Sequence, residues 1–138
     1  MSVLGLGGLV FYLALCVFLF LTGAYSVLNQ LLITLVLLYI AVPLLRFLFF
    51  KERPKKQTYS NFFEKIDAGS FPSMHASRSF ALLFVFHRYF NNTMISLVLL
   101  ISALLICYSR LYFKKHDLID IIGGIVVGSV TGYLVLML

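Results

Sequence analysis

The sequence predicts an all-α integral membrane protein with about five transmembrane helices in one bundle. Of its 138 residues, 62% are hydrophobic and only 12% are charged, too few charges to cover a soluble domain of this length. The mean hydropathy is +1.02, and the apolar residues form runs of the roughly 20 residues needed to cross a bilayer. Because a bilayer offers no water to satisfy backbone polar groups, these runs are expected to be helices.

Five spans follow one another along the chain. The first covers residues 3–22, and we expect a membrane helix rather than a cleaved signal peptide because no Lys/Arg-rich leader precedes it. A polar turn leads to the second span, residues 28–50, in which Pro43 is expected to produce a kink. The remaining three spans are residues 73–90, 94–110 and 117–138.

The long connection between the second and third spans covers residues 51–72. Within it, residues 59–66 fit a short interfacial helix and a plain loop equally well. The sequence contains no internal repeat and no sign of a second domain, so we expect a single transmembrane domain over residues 1–138.

Charge is concentrated at one side of the predicted bundle. Eleven Lys and Arg against five Asp and Glu give a net charge of +6, and alternating the spans leaves only Arg88 of these cations on the opposite side. By the positive-inside rule, the basic face is cytoplasmic and the protein is a multi-pass protein of the cell membrane. A basic face at a membrane surface favours lipid headgroups or phosphate esters over nucleic acid as partners.

Small residues inside the spans predict packing rather than chemistry. Gly124, Gly128 and Gly132 recur at helical spacing, which favours close approach of another helix. We expect that helix to belong to the same monomer, with a homodimer as the alternative. Cys16 and Cys107 lie in apolar runs without metal-ligand spacing, so neither a disulfide nor a metal site is expected.

Residues able to handle a phosphate group form three clusters on the basic face. The clusters are Arg46 with Arg53-Pro54, Pro72-Ser73-Met74-His75, and Ser109-Arg110 with His116 and Asp120. Arginine stays charged and forms bidentate bonds with phosphate oxygens. Ser73 and the backbone N–H groups at the start of the third span add neutral donors and a favourable dipole end. Together the clusters indicate a phosphate site.

His116 and Asp120 are four residues apart, so on a helix they share one face. A carboxylate there keeps one imidazole nitrogen protonated and leaves the other as a nucleophile, while His75 from another helix can act as general acid. An acid one turn inside an apolar span is costly without a partner. We therefore expect a functional role for Asp120, the structural alternative being an ion pair with Arg110 or Lys115.

The three clusters resemble the tripartite signature of the type 2 phosphatidic acid phosphatase superfamily, K-x6-R-P, P-S-G-H and S-R-x5-H-x3-D. Here they read Arg46-x6-Arg53-Pro54, Pro72-Ser73-Met74-His75 and Ser109-Arg110-x5-His116-x3-Asp120. Arg46 replaces the usual Lys and Met74 the usual Gly, and neither change removes a proton-transfer group. Members of the superfamily commonly have six spans, so this chain resembles a version with one N-terminal helix fewer.

The resemblance implies a two-step mechanism that uses no metal and no other cofactor. His116 attacks phosphorus, Asp120 orients it, and His75 protonates the leaving oxygen and then activates water. The groups implied to hold the phosphate oxygens are Arg46, Arg53, Ser73, Met74 and Arg110. Arg78, one turn beyond His75, is expected to support the site by contacting the phosphate or pairing with Asp67.

The resemblance further implies a lipid phosphate phosphatase acting on phosphatidate, phosphatidylglycerol phosphate, or a polyprenyl phosphate or diphosphate. A lipid phosphotransferase of the same superfamily would share every site residue. A magnesium enzyme using His116-Asp117-x2-Asp120 is disfavoured because the nearby arginines would repel the ion. A channel or scaffold that only binds anionic lipid is disfavoured by the specific His/Asp spacing.

Overall fold

The computed structural model describes the backbone of residues 3–55 and 57–138, and within these ranges the side chains from Val10 onward. The described residues form six helices and no strands, as the sequence predicts. The helices are α1 (Val3–Leu21), α2 (Tyr25–Leu48), α3 (Phe62–Ala68), α4 (Met74–Phe90), α5 (Thr93–Tyr112) and α6 (Leu118–Met137).

Three helices of the described chain, α2, α5 and α6, are long and apolar enough to cross a membrane. The apolar helices indicate a membrane protein, but the expected five spans are not confirmed. In α1 the described apolar stretch is the shorter Val10–Leu21. Helix α4 has 17 residues and carries His87 and Arg88 in its last turn, so its apolar part is also short.

The connection before α4 contains a helix where the sequence fitted helix and loop equally well. Asn61 caps α3, and its side chain accepts a hydrogen bond from the Glu64 N–H at 3.0 Å. The Glu64 carboxylate in turn accepts from the Ser60 N–H at 2.8 Å. This cap explains why so short a helix forms. Phe63 is 81% exposed on its surface, as expected for a residue at a lipid interface.

Helix α4 packs most extensively against α6, through the glycines of α6. A Cβ atom at Gly124 would lie 2.6 Å from the carbonyl oxygen of Ser73, and one at Gly128 would overlap the carbonyl of Ser77. The predicted close packing within the monomer is therefore confirmed. It brings the start of α4, which carries one site cluster, directly against the start of α6, which carries another.

Candidate active site

The three sequence clusters lie at one end of the bundle and are joined by backbone hydrogen bonds. The Ser73 N–H, just before α4, donates to the Asp120 carbonyl oxygen at 2.9 Å. The Lys55 N–H, after α2, donates to the Lys114 carbonyl oxygen in the turn between α5 and α6 at 3.1 Å. Segments that are far apart in sequence thus form one site.

His116 and Asp120 face each other at the start of α6. His116 Nδ1 lies 3.6 Å from Asp120 Oδ2, which is within ion-pair range but longer than a hydrogen bond. His116 is 5% exposed and Asp120 is 0% exposed. The Asp120 carboxylate therefore lies on the Nδ1 side of the imidazole ring.

The surroundings of His116 favour the neutral form of its imidazole. Burial, followed by the positive charges of Arg53 and Arg46, lowers the pKa of His116 to about 4, although Asp120 acts in the opposite direction. A neutral imidazole keeps a lone pair on one ring nitrogen. The site thus contains a buried group able to act as a nucleophile at neutral pH.

The ion-pair partner of Asp120 is Lys51. Lys51 Nζ lies 2.9 Å from Asp120 Oδ1 and 3.0 Å from Asp117 Oδ2. Burial lowers the pKa of Lys51, but its hydrogen bonds to the two carboxylates outweigh burial and the pKa is raised. The alternative partners considered from the sequence, Arg110 and Lys115, are not those that the structure gives.

Sequence reasoning missed the position of Lys51 in the site, although one signal pointed there. Lys51 lies two residues before Arg53, inside the first cluster. A buried carboxylate at the membrane face requires a cationic partner. The loop contains several lysines, and the sequence does not indicate which of them pairs with Asp120.

Arg46 and Arg53 converge on a single backbone oxygen. Arg46 Nη1 and Arg53 Nη2 donate to the carbonyl oxygen of Asp67 at 3.2 Å and 2.8 Å. Arg46 also donates to the Pro72 carbonyl oxygen at 3.3 Å and is only 5% exposed. Burial lowers the pKa of Arg53, while Asp67 and Asp120 act in the opposite direction. Both guanidinium groups are held at the edge of the segment that leads into α4.

Arg110 and Ser73 bring further donors to this end of the bundle. Arg110 is buried at the end of α5, and its Nε donates to Ser109 Oγ at 3.2 Å. Burial, and after it the positive charges of Arg110 and Arg53, lower the pKa of Lys115, so both arginines lie near this turn. Ser73 is fully buried before Met74, the first residue of α4, and both Met74 and His75 are half-buried.

Six predicted site residues share one feature, at least one buried polar side-chain atom without a hydrogen-bond partner among the described residues. These atoms are Arg46 Nε, Arg53 Nε, Ser73 Oγ, Arg78 Nε and Nη1, Arg110 Nη1 and His116 Nδ1. Native proteins leave few buried polar groups unbonded, and such groups call for an explanation. Guanidinium and hydroxyl donors clustered in this way suit the oxygens of an anion.

Two contacts are expected for Arg78 from the sequence, with the phosphate or with Asp67, and the structure gives Arg78 a different partner from Asp67. Its Nη2 donates to the Tyr39 hydroxyl at 2.9 Å, and the guanidinium lies over the Tyr39 ring at 5.1 Å. Asp67 is instead 3.7 Å from Arg46 Nη1. The rotation of α2 and α4 turns Arg78 toward α2, which sequence spacing does not reveal.

No group of three or more His, Cys, Asp and Glu side chains in the described part of the chain is placed to hold a metal ion. In the magnesium alternative, the ion would lie between Asp117 and Asp120. The ammonium group of Lys51 contacts both of these carboxylates.

The family model described as PAP2 superfamily matches residues 11–138, nearly the whole chain. The matched range contains all three clusters of the candidate site. No curated protein and no solved structure matches the chain.

Proposed function

The chain belongs to the PAP2 superfamily, and from this premise we propose that it is a membrane phosphatase that removes a phosphate group from a lipid. One observation carries the proposal. A buried imidazole with a lowered pKa, His116, lies beside a buried carboxylate, Asp120, at the end of the bundle where three arginines each keep one buried nitrogen without a hydrogen-bond partner in the described part of the chain. This combination provides a nucleophile together with stabilisation for the charged oxygens of a phosphoryl group.

In the first proposed step, the His116 ring nitrogen away from Asp120 attacks phosphorus. The bond between phosphorus and the ester oxygen breaks, and His75 gives its proton to that oxygen. A phosphohistidine results, and its positive ring is stabilised by Asp120. In the second step, His75 takes a proton from water, the resulting oxygen attacks phosphorus, and the P–N bond breaks to release phosphate. No metal takes part.

The donors around His116 are proposed to hold the non-bridging phosphate oxygens. They are Arg46, Arg53, Ser73, Arg110 and the backbone N–H of Met74. Positioned donors of this kind contribute on the order of 10²–10³ in rate each. Lys51 contributes indirectly, since it holds the Asp120 carboxylate toward His116.

A lipid substrate follows from where these groups lie, at the end of apolar helices. We propose that α1 and α4 cross the bilayer together with the three longer helices, so that residues 1–138 form one five-span domain. The 17 residues of α4 extend about 25 Å, close to the thickness of a hydrocarbon core. The cation-rich loop 51–72 supports a site on the cytoplasmic face of the cell membrane, by the positive-inside rule.

The test is phosphate release in detergent micelles with EDTA present, from phosphatidate, phosphatidylglycerol phosphate and a polyprenyl diphosphate. We expect the wild type to release phosphate and His116→Ala to release none. His87→Ala is the matched control, since His87 lies at the opposite end of α4 and contacts Ser96 Oγ at 2.7 Å. It is expected to retain wild-type activity.

Two outcomes would point elsewhere. Undiminished release by His116→Ala would exclude the phosphohistidine route. Phosphorylation of an added acceptor lipid without release of phosphate would identify a phosphotransferase.

A further inference from the structure

A further cationic group lies on the membrane side of the candidate phosphate site. Arg78 contacts the hydroxyl and the ring face of Tyr39, both of them neutral. Its Nε and Nη1 are buried and have no hydrogen-bond partner among the residues that the structure describes. An arginine within a bilayer is costly unless its charge is offset, and a phenol offsets it only in part. Two donor atoms on one guanidinium group are thus open to an anion.

Arg78 lies on α4 about one and a half turns beyond Ser73 of the phosphate site. Its Cα lies five residues beyond Ser73, which is about 7.5 Å further along α4. Helix side chains tilt toward the N-terminus, so the guanidinium is directed back toward the site. Tyr39 lies two turns before Arg46 on the same face of α2. The charges of Arg78 and Arg46 are within electrostatic range of each other.

Arg78 is also a neighbour of His75, the residue proposed to protonate the leaving group. It is three residues from His75, so the two are neighbours on the surface of α4. In the proposed function His75 protonates the leaving oxygen, and a cation beside His75 therefore faces the leaving group rather than the transferred phosphoryl group. A phosphomonoester releases a neutral alcohol, which gains little from such a cation. A lipid diphosphate releases a lipid monophosphate, which is an anion.

We propose that Arg78 and Tyr39 form a subsite for the second phosphate of a lipid diphosphate, an inference that rests on the proposed function. His116 bonds to the terminal phosphorus while the bond from that phosphorus to the bridging oxygen breaks. The electron pair stays on the bridging oxygen, which receives the proton of His75. Arg78 balances the charge of the departing lipid monophosphate, and water then releases inorganic phosphate from His116.

The experiment compares farnesyl diphosphate with farnesyl monophosphate, two substrates whose tails are identical. For each we would measure kcat and KM in micelles with the wild type, Arg78→Gln, Arg78→Lys and Tyr39→Phe. Arg88→Gln is the matched control, an exposed arginine at the other end of the same helix.

Arg78→Gln is expected to lower kcat/KM about 10- to 100-fold for the diphosphate, because a charge-assisted contact is lost. For the monophosphate we expect a change within about twofold. Arg78→Lys should retain part of the diphosphate activity, since it keeps the charge but loses the two-donor geometry. Tyr39→Phe, which removes only the hydroxyl that holds Arg78, should also affect the diphosphate alone. Arg88→Gln should change neither substrate.

Equal losses on both substrates would overturn the subsite, since a structural role for Arg78 does not distinguish them. A wild type with a higher kcat/KM for the monophosphate would overturn it as well. If Arg78→Gln does not fold, Arg78→Lys and Tyr39→Phe provide the same comparison. If the wild type releases no phosphate from any lipid phosphate, the result would instead contradict the proposed function, and the subsite with it.

Discussion

The acidic and the cationic sides of the candidate site differ in how completely their polar atoms are bonded. Asp120 has both carboxylate oxygens bonded, Oδ1 to Lys51 Nζ and Oδ2 to the Asp117 N–H. On the cationic side, Arg46 and Arg53 each keep a buried Nε without a partner in the described part of the chain. A fully bonded group is held in one orientation, whereas donors without partners remain open to a ligand. This difference supports the proposal that the acidic side orients His116 and the cationic side binds an anion.

The largest effect is expected when the acidic side is broken. Asp120→Asn should lower kcat by about 10³- to 10⁴-fold, because an amide neither selects the required imidazole tautomer nor stabilises its cation. The measurement is phosphate release, with a thermal melt in detergent to check folding.

Asp117→Asn is the matched control for this substitution, because Asp117 also contacts Lys51 but lies at the N-cap of α6, where Asn caps equally well. It should retain activity within about twofold. Comparable losses in both variants would show that the Lys51 network matters as a whole, and not the orientation of His116 by Asp120.

An intermediate effect is expected on the cationic side. Arg110→Gln should lower kcat/KM about 10²-fold, because a donor to the transition state is lost. Its Tm should stay close to that of the wild type, since a buried charge with an unbonded donor contributes little to folding. Exposed Lys114, replaced by Gln, serves as the control. A Tm that falls together with activity would assign Arg110 to the structure instead of the anion.

The smallest effect at pH 7 is expected for Lys51→Met, and it should appear as a pH shift. His116 must be neutral to attack, so activity falls as the pH drops through its lowered pKa. Removal of Lys51 leaves the Asp120 charge less balanced, which favours protonated His116 and raises its pKa. The acid limb of the kcat/KM profile should move to higher pH in Lys51→Met and stay in place in Lys51→Arg. If the acid limb of the kcat/KM profile stays at the same pH in Lys51→Met, the proposed effect of Lys51 on the pKa of His116 is wrong.

Sequence predicted the parts of the fold and site that depend on local pattern. The apolar runs of α2, α5 and α6 mark their helices, and the spacing of His116 and Asp120 places both on one helix face. Hydropathy predicted five spans, and the described residues contain three helices, α2, α5 and α6, that are long and apolar enough to cross a membrane.

The sequence did not predict which side chains of different clusters contact each other. Lys51 and Asp120 are 69 positions apart, and sequence offers no distance between them. That Arg78 meets Tyr39 and not Asp67 depends on how α2 and α4 rotate against each other. Such contacts are set by tertiary packing and have no motif of their own.

The glycine contact between α4 and α6 has a mechanical consequence. With the carbonyls of Ser73 and Ser77 against Gly124 and Gly128, no gap is left between the two helices at these positions. Any larger side chain there would have to push α4 away from α6, and with it Ser73 away from the start of α6. A substrate of the proposed phosphatase would therefore have to reach His116 from another side of the site.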